Sequence, residues 1–357
     1  MAAAGASGLY VNPNTGAAQA GLAPFRNALI NGDMRINQRG TSTNLASMTA
    51  VGATYGYVCD RWCVLRGSYA TDSQMAQGTN ISVSDLPFTE AGISTFSRIS
   101  RIANTSGTSG VGCSYGLESQ DSKKFVGKTI TLSFYYRTGA NFSSSILNGY
   151  IITGKGNDEG FQRGSSITGY QTNIATFPVS LNWSRAKYTI TITDTAITQL
   201  GITFQLNPTG TAGAADYFDI TGVQLELGSV ATPFEVRPYP VELQMCMRYY
   251  QQFGGSSGMI VSTGFTRSTS AFFGFVYFPV EMRIGVTPTL NSGAVLNISI
   301  GGSDFSCTSV GNPGGYVPNT KVGYMGFNIS GSQVGLPGYV IAYGAGVTAF
   351  IRYDAEL

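Results

Sequence analysis

Phe25-Arg26-Asn27-Ala28-Leu29-Ile30-Asn31-Gly32-Asp33-Met34-Arg35-Ile36-Asn37-Gln38-Arg39 reads as an alternating strand. Phe218-Asp219-Ile220-Thr221-Gly222-Val223-Gln224-Leu225-Glu226-Leu227-Gly228, followed by Ala231-Thr232-Pro233-Phe234-Glu235, reads the same way. Strict period two is the mark of a strand with one buried face. Between the two stretches lies a long run of strand-and-turn sequence. The pair therefore predicts the closing edges of one jelly-roll β-sandwich whose ends meet in space.

Alternation is clearest within that run at Thr129 to Tyr136, where Ile130, Leu132, Phe134 and Tyr136 share a face. Tyr188, Ile190 and Ile192 repeat it, as do Ile202, Phe204 and Leu206. Gly-, Ser-, Thr- and Asn-rich loops separate these segments. Short strands at this spacing argue for a sandwich rather than parallel β/α units. One helix is predicted at Pro240 to Gln252, with Pro240 in its first turn, Glu242 at its positive end and Gly254-Gly255 as the stop. Its apolar stripe, Leu243, Cys246, Met247 and Tyr250, either docks on its own domain or packs as a neck around a symmetry axis. A second all-β unit follows. In Ser270 to Phe278, Phe272, Val276 and Phe278 line one face, while Phe273, Phe275 and Tyr277 line the other. A strand apolar on both faces needs cover on both, and a neighbouring subunit is one source of it. The expected fold is thus all-β: an extended arm (1–24), a jelly-roll β-sandwich (25–238), a helical neck (239–253), and a small C-terminal β-sandwich tip (254–357).

Composition excludes several functions. Charged residues make up 11% of the chain and hydrophobic residues 43%, with 20 Tyr and 20 Phe, so burial comes from aromatics rather than from disorder-prone polar sequence. A net charge of +2, with no basic block beyond Lys123-Lys124, argues against a nucleic-acid partner. No stretch has the length of a membrane span, so membrane insertion is not expected. Residues 1 to 24 lack the basic and continuous apolar parts of a secretory leader and read as an arm ordered by a partner. The five cysteines, Cys59, Cys63, Cys113, Cys246 and Cys307, match no zinc spacing and read as reduced thiols of a protein folded in a reducing cytoplasm. Cys59 and Cys63 are placed in one strand. With no histidine in the chain, Ser-His and Cys-His nucleophile chemistry is excluded.

Asn31-Gly32-Asp33-Met34-Arg35-Ile36-Asn37-Gln38-Arg39 with Asp60-Arg61-Trp62 resembles the opening of a phage tail-fibre protein family. The resemblance continues in Gly222 to Glu235 and in Arg248-Tyr249-Tyr250-Gln251. It resumes in Phe278-Pro279-Val280-Glu281-Met282-Arg283 with Thr287-Pro288-Thr289, and in Asp354-Ala355-Glu356-Leu357. It implies a virion protein, usually a homotrimer, that contacts the host surface. The arm would then attach to other tail or head proteins, and the tip would bind a host-surface glycan. More weakly, the first module resembles carbohydrate-binding jelly rolls. A ligand-free head fibre or decoration subunit is the architectural alternative, and a surface-polysaccharide hydrolase the enzymatic one.

Aromatic faces stack on sugar C–H surfaces. Trp62, among apolar neighbours, reads as a core anchor, with a sugar platform as the competing reading. Trp183, in polar Ser180-Leu181-Asn182-Trp183-Ser184, is the better stacking candidate, and Tyr316 and Tyr339 are the candidates of the tip. Asp33 and Asp219 sit in the two bracketing segments. The likeness to carbohydrate jelly rolls raises the possibility of a structural calcium there, since hard carboxylate oxygens suit that ion; otherwise both accept backbone hydrogen bonds. No other cofactor is implied. Gly154 to Gly160 has glycines and Lys155 but lacks the order of a phosphate loop. Asp158 and Glu159 are the first pair to consider for glycoside cleavage, although a non-catalytic role is expected.

Overall fold

The computed structural model describes residues 9–11, 18–20, 24–39, 55–66, 73–79, 92–160, 167–255, 258–291, 295–307, 309–313, 316–329, 334–343 and 349–356. Most of the predicted arm lies outside the described residues; within it, β1 (Leu9–Val11) and β2 (Ala18–Ala20) pair antiparallel. Then follow β3 (Tyr55–Cys59), β4 (Trp62–Arg66), β5 (Ser73–Thr79), β6 (Thr95–Arg101), β7 (Val111–Gly116), β8 (Thr129–Thr138), β9 (Ile146–Gly154), β10 (Gln171–Pro178), β11 (Ser184–Thr191), β12 (Gln199–Leu206) and β13 (Tyr217–Leu227). They form two antiparallel sheets, β10-β9-β12-β7-β4-β3 and β11-β8-β13-β6-β5. The predicted strands Ile130–Tyr136 and Ile202–Leu206 supply the inner faces. Phe134 meets Phe204 at 4.5 Å and Phe177 at 4.9 Å between ring centroids. Trp62 is fully buried, edge-on to Tyr115 at 5.1 Å, and its indole N–H donates to the Asn31 carbonyl at 2.9 Å. It is a core anchor, and its polar tip holds the first bracketing segment in place.

That segment lies beside β13, but not as a strand. Residues 25–39 run as turns and irregular chain, with positive φ at Phe25, Asn31 and Met34. Ala28 N–H donates to the Leu225 carbonyl and Val223 N–H to that of Gly32, both within 2.9 Å. Side chains supply the rest of the ladder. The Asn27 amide donates to the Val223 carbonyl, and its oxygen accepts from the Leu225 N–H. The Asn31 amide bridges the Ile36 and Asp60 carbonyls. Asn side chains that mimic backbone groups produce turns rather than ladders. β13 accommodates this ribbon by a bulge between Thr221 and Gln224, where Gly222 has a φ of 57°.

The cysteines also depart from expectation. Cys59 and Cys63 lie on a hairpin, with Asp60-Arg61 as its two-residue tip, and not on one strand. All five thiols are free and buried, and burial pushes Cys59 up to about 12, which leaves it unreactive.

The helix α1 (Tyr239–Met247) is shorter than predicted and carries Pro in its first turn. Cys246 and Tyr249 are buried in the sandwich core, and Leu243 and Met245 pack against it. Of the predicted stripe, Leu243 and Cys246 thus dock on their own domain. The second module comprises β14 (Tyr250–Gly254), β15 (Met259–Ser268), β16 (Ala271–Tyr277), β17 (Thr289–Leu290), β18 (Val295–Ile300), β19 (Ser303–Cys307), β20 (Val322–Asn328), β21 (Pro337–Tyr343) and β22 (Phe350–Asp354). Their sheets are β14-β22-β17 and β19-β18-β21-β15-β16-β20. Phe272, Val276 and Phe278 join Leu296, Ile298, Met325, Val340 and Tyr353 in a separate core.

A buried ionic seam joins the modules. Arg61, at the hairpin tip with a φ of 72°, pairs with Glu356 and donates to the Gly116 carbonyl at 2.6 Å. Its guanidinium lies 3.5 Å over the Tyr249 ring. Arg39 contacts Asp60 at 3.0 Å, Asp354 at 3.2 Å and Glu356 at 3.3 Å, and stacks 3.9 Å over Tyr250. Arg248 grips Glu118 through two bonds, and Tyr249 Oη donates to the same carboxylate at 2.6 Å. Across the sandwich end, Arg237 donates to the Leu29 carbonyl and pairs with Glu242, whose oxygen accepts the Asn31 N–H.

Removing one partner of a buried pair leaves a charge without compensation. Glu356→Ala is expected to lower stability by about 3–5 kcal/mol; urea unfolding followed by tryptophan emission checks this. Burial raises Asp60 and Asp33 from 3.8 to about 6 in each case, against their arginine partners. A carboxyl with a raised folded pKa binds its proton more tightly when folded, so its contribution improves as pH falls through 6 towards 4. The urea midpoint is expected to shift upward between pH 7 and pH 5, and the Asp33→Asn, Asp60→Asn double variant to lose that rise.

Candidate functional site

The six-stranded sheet of the second module has one covered face and one open one. Register places Tyr339, Thr263, Phe275 and Tyr324 side by side across β21, β15, β16 and β20. The neighbouring row is Phe265, Phe273 and Gly326. Period two along β16 sends Phe273, Phe275 and Tyr277 to this face because Phe272 and Val276 enter the core. Tyr277 is 73% exposed, and Phe265, Phe275, Tyr316 and Tyr339 are also exposed. The rings touch one another: Phe265 and Phe273 at 6.2 Å, Phe275 and Tyr277 at 6.0 Å, Tyr316 with Phe273 at 5.5 Å and with Tyr324 at 5.1 Å. Isolated exposed apolar residues are ordinary, but a contiguous aromatic face marks an interaction surface.

At one end this face deepens into a groove of about 570 Å³. Its wall is Phe273, its cation Arg267, and its polar groups include Asn312, Asn328, Ser268 and Ser309. The Arg267 guanidinium lies 5.0 Å from the Phe273 ring centroid. Segment 309–313 closes the far side by a backbone bridge between Gly311 and Gly326. A Cβ at Gly326 would stand 3.1 Å from Pro313, so glycine permits this close approach. Among the described residues no Asp or Glu lines the groove. Phe273 itself is buried, so the exposed rings beside the groove, Phe265 and Tyr316, supply the stacking surface, and the lining supplies hydrogen-bonding groups.

Two of the residues singled out from sequence, Tyr316 and Tyr339, thus lie on one sheet face. The other three lie in the first module. Trp183 is half-buried, edge-on to Phe96 at 5.6 Å and under the Arg137 guanidinium at 4.8 Å. Its polar sequence context concealed these partners, which cover part of its surface. Asp219 is fully buried between Arg98, bound through both its Nε and Nη2, and Arg137. Arg98 in turn stacks 3.6 Å over Tyr217. Guanidiniums thus occupy the oxygens that a calcium ion would need. Asp33 pairs with Arg35 at 3.2 Å, and its backbone carbonyl accepts from Thr95 and, at longer range, from Thr221. Among the described residues no group of three or more His, Cys, Asp or Glu is placed to hold a metal. Asp158 accepts from the Ser119 N–H and Glu159 from Thr168, so both tie loops together.

Sequence reading missed Arg267, Phe265, Asn312 and Asn328. The signal for two of them was present: Thr263, Phe265 and Arg267 alternate on β15 as Phe273, Phe275 and Tyr277 do on β16. Among the described residues no helix is long and apolar enough to cross a membrane.

No protein-family model matches the chain, and no curated protein matches it. Solved structures similar to it include the enzymatically active domain of tailspike protein 4 from bacteriophage CBA120, at 12% identity and a TM-score of 0.33, covering 58% of this chain. The chain spans 22% of that tailspike structure's length. A structure described as CBM4 matches at 16% identity and a TM-score of 0.32, over 56% of this chain and 98% of the other. The N-terminal tandem of CBM22-1 and CBM22-2 domains of Xyn10C from Paenibacillus barcinonensis matches at 12% identity and a TM-score of 0.29, over 82% and 91%. At such TM-scores the fold description rests on the strands themselves.

Because arginines already hold Asp33 and Asp219, millimolar calcium is expected to leave the melting temperature unchanged, with or without prior chelator treatment. A rise of several degrees in thermal unfolding would contradict this arrangement.

Proposed function

We propose that this chain is a phage virion subunit of the tail-fibre type that attaches the particle to glycan on the host surface and does not cleave it. The observation that carries the reading is the open aromatic face of the C-terminal sheet with its polar groove. Rigid rings present stacking surface at small entropic cost, and the amides and hydroxyls at the groove orient a bound sugar. Glycoside cleavage needs a pair of carboxyls roughly 5–10 Å apart across the scissile bond, and among the described residues none lines the groove. The segments that resemble tail-fibre proteins supply the ionic seam, through Arg39, Asp60, Arg61, Arg248 and Glu356. This supports a scaffolding role for those segments, with recognition left to the aromatic face. Residues 1–24 would join the subunit to other virion proteins. A homotrimer would present three such faces and multiply weak contacts into avidity.

The test is adsorption of labelled protein to host cells. Tyr316→Ala and Tyr277→Ala are each expected to weaken adsorption about tenfold, the scale of losing a central aromatic contact. The variants should keep the wild-type melting temperature. Unchanged adsorption by both, or sugar release from the host polysaccharide by the wild type, overturns the reading.

A further inference from the structure

We infer that the first module carries an oxyanion site of its own, where Arg98 and Arg137 hold a phosphate or carboxylate group of a polymer on the host surface. The site lies on the solvent face of the five-stranded sheet, apart from the C-terminal groove. That the polymer belongs to the host rests on the attachment reading. Asp219 is fully buried and stands opposite both Arg98 on β6 and Arg137 on β8. Arg98 binds it through Nε at 2.7 Å and Nη2 at 2.9 Å, and Arg137 through Nε at 2.8 Å. Two of these bonds end on the same oxygen, Oδ2, which fixes the two guanidiniums side by side. One carboxylate thus serves two cations, and a positive charge is left over. Both side chains reach solvent, Arg98 at 35% and Arg137 at 28% exposure. Tyr217 lies 3.6 Å from the Arg98 guanidinium, and Phe96 and Trp183 lie 5.5 and 4.8 Å from that of Arg137. Such rings hold the guanidinium planes without using their N–H donors. The Nη1–Nη2 edge of Arg137 points away from the Nε that binds Asp219, and this edge matches an oxyanion in two parallel bonds. Nη1 of Arg98 is the neighbouring donor.

The charge continues along the same face. Arg185 and Lys187 flank the core-facing Ala186 on β11 and stand opposite Tyr135 and Ser133 of β8, so both project to the side of Arg137. Both are exposed, and Arg185 spends a donor on the Thr232 carbonyl. Residues two apart on a strand are spaced about 7 Å. Among the described residues, the carboxylates that the strands bring to this face are Asp219 and Glu226. Both are buried, and Glu226 already accepts from Gln224 and Thr232. The strands therefore present cations to solvent here with no exposed carboxylate between them. A single small anion meets one end of this row. A chain bearing repeated negative charge meets its whole length, and that is the ligand the face fits.

The test measures binding of the full chain to immobilised dextran, phosphorylated dextran and carboxymethyl dextran, which share a sugar backbone and differ in charge. The wild type is expected to bind at least one charged form about tenfold more tightly than neutral dextran. The order of the two charged forms tells phosphate from carboxylate. Arg137→Gln should remove the preference, and it leaves Asp219 both of its bonds from Arg98. The Arg185→Gln, Lys187→Gln double variant changes only exposed side chains and should cut the preference about threefold. Lys321→Gln, on the second module, should retain it. Equal binding to neutral and charged dextran overturns the site. So does a preference that survives Arg137→Gln in protein melting with the wild type. If Arg137→Gln melts earlier, a full preference in the double variant overturns it instead. A preference lost equally in Lys321→Gln, or exceeded by binding to duplex DNA, overturns it as well. None of these outcomes touches the aromatic face. Failure of the attachment reading shows separately, as host-cell adsorption indifferent to Tyr316 and Tyr277, and leaves the dextran result standing.

Discussion

Arg61 is the charge around which the molecule is arranged. It stands at the tip of a two-residue hairpin, in a backbone conformation that side-chain-bearing residues adopt at a cost of about 1–3 kcal/mol. Its guanidinium is buried, so it must find compensation inside the protein. Glu356 supplies the charge, the Gly116 carbonyl a further acceptor, and Tyr115 and Tyr249 the faces above and below it. These partners come from both modules. Arg61 and Glu356 compensate one another, so the hairpin tip and the Asp354–Glu356 segment are tied by electrostatics. Arg39, Asp60, Arg248 and Glu118 extend the same logic outward, with each carboxylate shared among several donors.

The seam places the aromatic face. β14 leaves α1 directly through the buried Tyr249 and Tyr250 and pairs with β22, so the second module starts from a rigid point. The aromatic face and the scaffold are chemically distinct as a result. The scaffold concentrates buried charge, whereas the groove and its face concentrate rings, amides and hydroxyls.

Much of the fold was legible because period two is a local signal. Ile130 to Tyr136 and Phe272 to Phe278 disclosed their faces without reference to any other segment. Proximity of the two bracketing stretches was legible as well, but not the conformation of the first. Asn27 and Asn31 occupy positions that alternation treats as the polar face of a strand, and they use their side chains in place of a ladder. The Cys59–Cys63 hairpin was hidden because Asp60-Arg61 lacks the glycine or asparagine that such turns prefer; tertiary pairing with Glu356 offsets the cost. The setting of Trp183 was hidden for a related reason. Its surroundings, Phe96 and Arg137, come from strands far away in sequence, and no window around Trp183 contains them. Tyr316 and Tyr339 could be picked as exposed aromatics, but their shared face depends on the order of the strands, which sequence does not specify.

The single bridge between Gly311 and Gly326 bears on how the protein behaves when crowded. β20 is an outer strand of its sheet, and beside it lie rings that water solvates poorly. An uncovered strand rim next to such a surface invites another polypeptide to add on as a further ribbon, the first step of fibril growth. Segment 309–313 occupies part of that rim with its own backbone. The chain can thereby keep an aromatic surface exposed while limiting the most direct route to self-templated aggregation.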